Sequence, residues 1–130
     1  MIETMMALGD FRFSINSAAY QTLKRTAEYR WPSQARVGRE PALQYTGPGS
    51  ETVKLNGVIY PQFRGGLGQV EKMRKMAGNG TPLLLTDGEG NYWGKWCITR
   101  IEEEQSIFTG PGLPRKISFN LDLQAYGENG

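Results

Sequence analysis

Near the end of the chain, Ile117, Phe119, Leu121 and Leu123 alternate with Ser118, Asn120, Asp122 and Gln124. Successive side chains of a β-strand point to opposite faces, so this spacing writes one apolar face and one polar face. A helix would scatter the same four apolar side chains around its circumference. The segment therefore demands a sheet with one side on a core and the other side polar.

The same period recurs upstream. Phe11, Phe13 and Ile15 alternate with Arg12 and Ser14, which predicts a strand over residues 8–15. Further strands are expected at 21–31, where Tyr29 and Trp31 share a face and Pro32 ends the run, with a helical turn over 23–28 as the alternative, and at 42–45, 53–60, 82–86 and 92–101. Residues 102–108 continue the last of these or begin another. In 53–60, Gly57 falls on the face of Val53, Leu55 and Ile59, marking a bulge or a close backbone approach. Residues 33–41 read as a polar loop that carries Arg36 and Arg39 around Gly38. Turns are expected at 46–50, 87–91 and 110–114, each rich in Gly, Pro, Asn or Asp. One helix is expected over about residues 66–77. Leu67, Val70, Met73, Met76 and Ala77 recur at spacings of three and four after Gly65-Gly66, and Gly78-Asn79-Gly80 stops the run.

The expectation is a single domain over residues 1–130, mainly β (α+β). It would be a β-sandwich or barrel of about seven strands, with one helix flanking an open side. The 17 glycines fall between apolar runs, so they serve turns rather than a flexible tract.

Several kinds of chemistry find no residues to carry them. The chain has no histidine, which removes the commonest general base and metal ligand. Cys97 is the sole cysteine and lies in an apolar alternating stretch, where a small buried hydrophobe is expected. A net charge of +2 without a basic cluster is a poor basis for binding nucleic acid. The first residues do not read as a signal peptide, and no apolar run approaches the ~20 residues of a membrane helix. Gly47-Pro48-Gly49-Ser50 lacks phosphate-loop spacing, and Gly65-Gly66-Leu67-Gly68 reads as a helix entry. Glu102 and Glu104 share a strand face and Glu103 takes the other, a solvated strand end or an interface charge patch. Trp93 and Trp96 are an odd number of residues apart, so a regular strand would place one in the core and leave the other for a subunit contact. No catalytic residue, cofactor or metal is expected.

The segment from Arg36-Val37-Gly38-Arg39-Glu40-Pro41-Ala42-Leu43-Gln44-Tyr45-Thr46-Gly47-Pro48 through Thr52-Val53-Lys54-Leu55-Asn56-Gly57-Val58-Ile59-Tyr60-Pro61 to Gly65-Gly66 resembles the tail protein U (GpU) family of contractile phages such as phage P2. The opening Met6-Ala7-Leu8-Gly9 with Phe11-Arg12-Phe13, and the closing Arg115-Lys116-Ile117-Ser118-Phe119-Asn120-Leu121, resemble that family's ends. The resemblance implies a tail-tube-like fold and a structural subunit of a phage tail or tail-like bacteriocin, assembled in the bacterial cytoplasm. It further implies a homo-hexameric ring at the baseplate-proximal end of the tail tube. The tail tube protein, a LysM-type tail protein, the central hub protein and the tape measure would be neighbours. Membrane and specific nucleic-acid partners are not implied, though DNA would pass through the lumen in a phage.

In such a ring, edge strands would join into a continuous inner barrel with polar residues toward the lumen. The turns at 36–41 and 110–114 would reach the next subunit. Arg36 and Arg39 are the expected intersubunit cations, Glu102 or Glu104 their acceptors, and Trp93 a further contact. Two alternatives stand beside this reading. One is a terminator ring at the head-proximal end of the tail; the other is a free-standing β-barrel that binds a glycan or single-stranded nucleic acid through Trp93 and Trp96.

Overall fold

The computed structural model describes residues 4–14, 18–61, 68–108, 110 and 112–127. These form strands β1 (Thr4–Leu8), β2 (Phe11–Ser14), β3 (Ala19–Arg30), β4 (Ser33–Arg36), β5 (Arg39–Leu43) and β6 (Gly47–Ile59), then helix α1 (Gln69–Gly78), then β7 (Leu83–Asp87), β8 (Tyr92–Phe108) and β9 (Pro114–Ala125). Seven strands make one antiparallel sheet in the order β2-β1-β7-β8-β9-β6-β3, while β4 and β5 pair with each other as a separate hairpin. The chain is thus mainly β with one helix, as its alternation required. Of the two forms left open, the barrel is not reached, because β2 and β3 remain edges.

The sheet curls strongly all the same. The ring of Phe13 on β2 meets that of Tyr20 on β3 edge-on at 6.0 Å, so the two ends approach at one corner. Further along β3, the Arg25 guanidinium lies 4.6 Å from the ring centre of Trp93 on β8. The inside of this curl is the core. Ile117, Phe119, Leu121 and Leu123 of β9 are all buried there, opposite Ile59, Gly57, Leu55 and Val53 of β6 in unbroken register. Met6, Leu8, Phe11, Phe13, Leu85 and Trp96 complete the wall from β1, β2, β7 and β8. Helix α1 packs against β8 and closes the core with Val70 and Met73, both buried. Glu71 in its first turn and Lys75 in its last both suit the helix dipole. The expected start at Gly66 and the stripe residue Leu67 lie outside the described residues.

Four expectations are corrected. Residues 8–14 are not one strand but the end of β1, a turn, and β2, and Ile15 of the expected strand lies outside the described residues. The turn at Gly9-Asp10 needs Gly9, whose φ is +60° and where a Cβ would lie 3.0 Å from the Leu83 side chain. Residues 33–41 are not a loop but most of the β4–β5 hairpin, turning at Val37-Gly38, and the strand expected at 42–45 is the end of β5. Residues 46–50 do not turn the chain; they begin β6, with Gly47 and Pro48 opposite Arg30 and Tyr29. The irregularity read into Gly57 lies on its partner, because β3 carries an extra residue between Tyr20 and Thr22. The 87–91 hairpin turn stands as read, and β8 runs unbroken through 102–108.

Candidate assembly surfaces

The outer face of the curl is a polar field. Its rungs run straight across four strands: Thr22, Asn56, Asn120 and Glu102 on one, then Lys24, Lys54, Asp122 and Arg100 on the next. The third carries Thr26, Thr52, Gln124 and Cys97. Cys97 is therefore not a core residue. It is half-buried on the polar side, because its neighbours Trp96 and Ile98 take the core side. Lys24 and Lys54 sit side by side, a like-charge pair that Asp122 offsets from β9. Arg100 donates to Glu102 at 2.7 Å. The first two rungs line a shallow depression of about 350 Å³, and Glu102, Glu103, Glu104, Ser118 and Asn120 line a second of about 280 Å³. Glu102 and Glu104 share this face, as the alternation indicated, while Glu103 turns to the other and accepts from Gln105.

Trp93 sits on a small polar network at the inner rim. Gly94, at φ +92°, and a register shift opposite Leu84–Thr86 break the alternation of β8 there. The opposite-face reading of Trp93 and Trp96 fails for that reason. Trp96 is fully buried, Trp93 is half-buried against the same core, and the Trp96 indole N–H donates to the Trp93 carbonyl at 3.0 Å. The Trp93 indole N–H in turn donates to Asp87 Oδ2 at 3.3 Å. The Asn91 backbone N–H, and after it the Asn91 side-chain amide, hold the Asp87 carboxyl below its ordinary pKa. Burial, and then the Asp87 charge, raise the pKa of the Tyr20 phenol. Arg25, ion-paired with Glu51, covers the outer face of Trp93. Trp93 thus serves as the seat on which edge strand β3 is latched, with most of its surface taken up inside the subunit.

Two hairpins leave the sheet at opposite ends. β6 runs on from Thr52, the last residue opposite β9, to Gly47, and carries the β4–β5 arm beyond it. At the other end, β8 and β9 extend past the Ile59–Ile117 pair to Phe108 and Pro114. The arm's base is fixed by the Trp31 and Tyr45 rings, 4.9 Å apart, and by the Thr46 N–H donating to the Arg30 carbonyl. At its tip Arg36 and Arg39 lie directly opposite each other, and Arg36 Nε donates to the Glu40 carbonyl at 3.2 Å. Tyr29, Trp31, Val37, Leu43 and Tyr45 are exposed along the arm, as are Ile107, Phe108 and Leu113 at the other end. The chain therefore brings Arg36 to Arg39 and Glu102 to Glu104. Among the described residues, no ion pair joins the two sets within one subunit. The exposed apolar groups of both ends escaped the sequence reading, although aromatic and branched residues crowding a turn on both sides were a visible sign of them.

Among the described residues, no group of three or more Cys, Asp or Glu gathers to hold a metal ion. No described helix is long and apolar enough to cross a membrane. The family model described as Phage P2 GpU matches residues 9–128. A probable tape measure protein of Halomonas phage phiHAP-1 is 30% identical over 128 residues, 97% of this chain, and the chain spans 15% of that relative's length. Two solved particles contain chains of similar fold. The tail of an empty gene transfer agent (GTA) particle, refined with C6 symmetry, superposes with a TM-score of 0.63, and the virion of a native GTA particle with 0.62. Each is 14% identical and covers 97% of this chain and 92% of its own.

Proposed function

This chain belongs to the Phage P2 GpU family, and we propose that it acts as one subunit of a hexameric ring at the baseplate-proximal end of a tail tube. It is a structural protein of a phage-type tail. The observation that carries the ring is the open, curled sheet. Its edge strand β3 is 12 residues long, and a protein that worked alone would leave that ladder unpaired in water. Pairing the edge with a neighbour removes it, and repeating the contact around a closed ring removes it for every copy.

The polar field then faces the lumen, and the arms reach neighbouring subunits. Sixfold symmetry in a tail whose chains share this fold supports six copies. A position beside the tape measure is supported by the phiHAP-1 relative, where a stretch like this chain is part of one long polypeptide of that description. The tail tube, hub and LysM-type proteins are the further neighbours in this reading. The function is assembly rather than catalysis. Native mass spectrometry of the purified protein should give six copies. A monomer at tens of micromolar, or a copy number not divisible by three, overturns the ring. Immunogold labelling of whole tails should mark the baseplate end, and label at the neck overturns that placement.

A further inference from the structure

We infer that the β4–β5 arm of each subunit lies along the outer half of β8 in the next copy, with Arg39 against Glu104 and Leu43 against Phe108. The inference rests on the ring reading and specifies its contact.

The first ground is placement. The arm and the β8–β9 end project from opposite ends of the sheet, so an arm cannot fold back onto its own β8 end. A contact between two different patches of one chain is head-to-tail, the type that closes rings rather than pairs. The second ground is chemistry. Glu102 and Glu104 lie on one face of β8, and the exposed Phe108 follows at the end of the strand, just past Ile107, whose φ is +56°. The outer half of β8 thus runs from acidic to apolar toward its end. The arm runs in the complementary sense, from its arginine tip to Leu43 nearer its base. The third ground is spacing. Arg39 and Leu43 are four positions apart, as are Glu104 and Phe108, a step of about 13 Å in an extended strand such as β5.

Glu104 is exposed and has no ion-pair partner among the described residues, whereas Glu102 is already held by Arg100. Glu104 is therefore the carboxylate of the two that is left available to a cation from another subunit. Leu43 is 66% exposed and Phe108 55%, so each can lose apolar surface to the other without disturbing the core.

Two experiments test the contact. In a Cys97→Ser background, Leu43→Cys and Phe108→Cys are combined in one chain, assembled and oxidised. A ladder of cross-linked species on non-reducing gels is expected from the double variant, and none from either single variant. Self-cross-linking of Leu43→Cys alone would mean a twofold arm-to-arm contact and overturns the inference. So does the absence of cross-links in a protein whose native mass is still six copies, and in that case the ring itself survives. A monomeric native mass overturns ring and contact together. In the second experiment, Arg39→Glu should weaken assembly about tenfold, and adding Glu104→Arg to the same chain should restore it. Failure of that rescue, with both variants folded by circular dichroism, also overturns the contact.

Discussion

Asp87 accepts four hydrogen bonds inside one turn, from the Glu89 and Asn91 backbone N–H groups, the Asn91 amide and the Trp93 indole. Its folded pKa is lowered, so its contribution to stability is present above the unfolded value of about 3.9 and is lost as pH falls through the folded value. Asp87→Asn should lower the melting temperature at neutral pH and flatten its fall below pH 4. An acid limb identical to that of the parent, followed by circular dichroism, would refute this. Two neighbouring tryptophans differ in what they hold. Trp96 is fully enclosed, and Trp96→Ala should remove about 3–5 kcal/mol in urea unfolding. Arg25→Ala removes the cover of Trp93 and the Glu51 ion pair, both partly in solvent, and should remove about 1 kcal/mol or less. These roles were only half legible in the sequence. Residue spacing assumes an unbroken strand, and the bulge at Gly94 cancels that assumption for Trp93. Cys97 was misread because an apolar neighbourhood in sequence is shared by both faces of a strand.

At the scale of elements, β9 was readable and the arm was not, for one physical reason. β9 has a core on one side and water on the other, and that difference is what alternation records. β4 and β5 have solvent around them, so polar and apolar residues follow no period and the hairpin resembles a loop. The β1–β2 turn left a sign that was passed over: apolar residues shift from even positions (Met6, Leu8) to odd ones (Phe11, Phe13), a change of phase that an unbroken strand does not make. Among the described residues, the arm contributes no side chain to the buried core. Replacing residues 33–43 with a two-residue Asn-Gly turn should leave stability within about 0.5 kcal/mol by thermal melting, while native mass falls to that of one subunit. A large loss of stability would show instead that the arm supports its own sheet. The charged half of the surfaces (Arg36, Arg39, Glu102 and Glu104) was visible in sequence, and the apolar half was not singled out, because single exposed apolar residues are common on any protein.

For the whole molecule, the polar field and the opposed hairpins make sense together in an assembly whose contacts repeat. Charge pairs at the rim of such contacts are screened by salt, so raising ionic strength from about 0.05 to 0.5 M should shift the native mass toward free subunits. Indifference to salt would place the assembly energy in apolar contacts alone. The strand order also carries a consequence in time. β9 lies between β8 and β6, and among the described strands it alone carries the backbone ladder from the β2-β1-β7-β8 half of the sheet to the β6-β3 half. A ribosome makes it after every other described strand, on the order of ten seconds after β1 at ~5–20 residues per second. Until then the two halves share no ladder, and neither can close the core. A nascent or prematurely stopped chain is thus barred from joining its neighbours, and readiness to assemble is decided by the strand that arrives last.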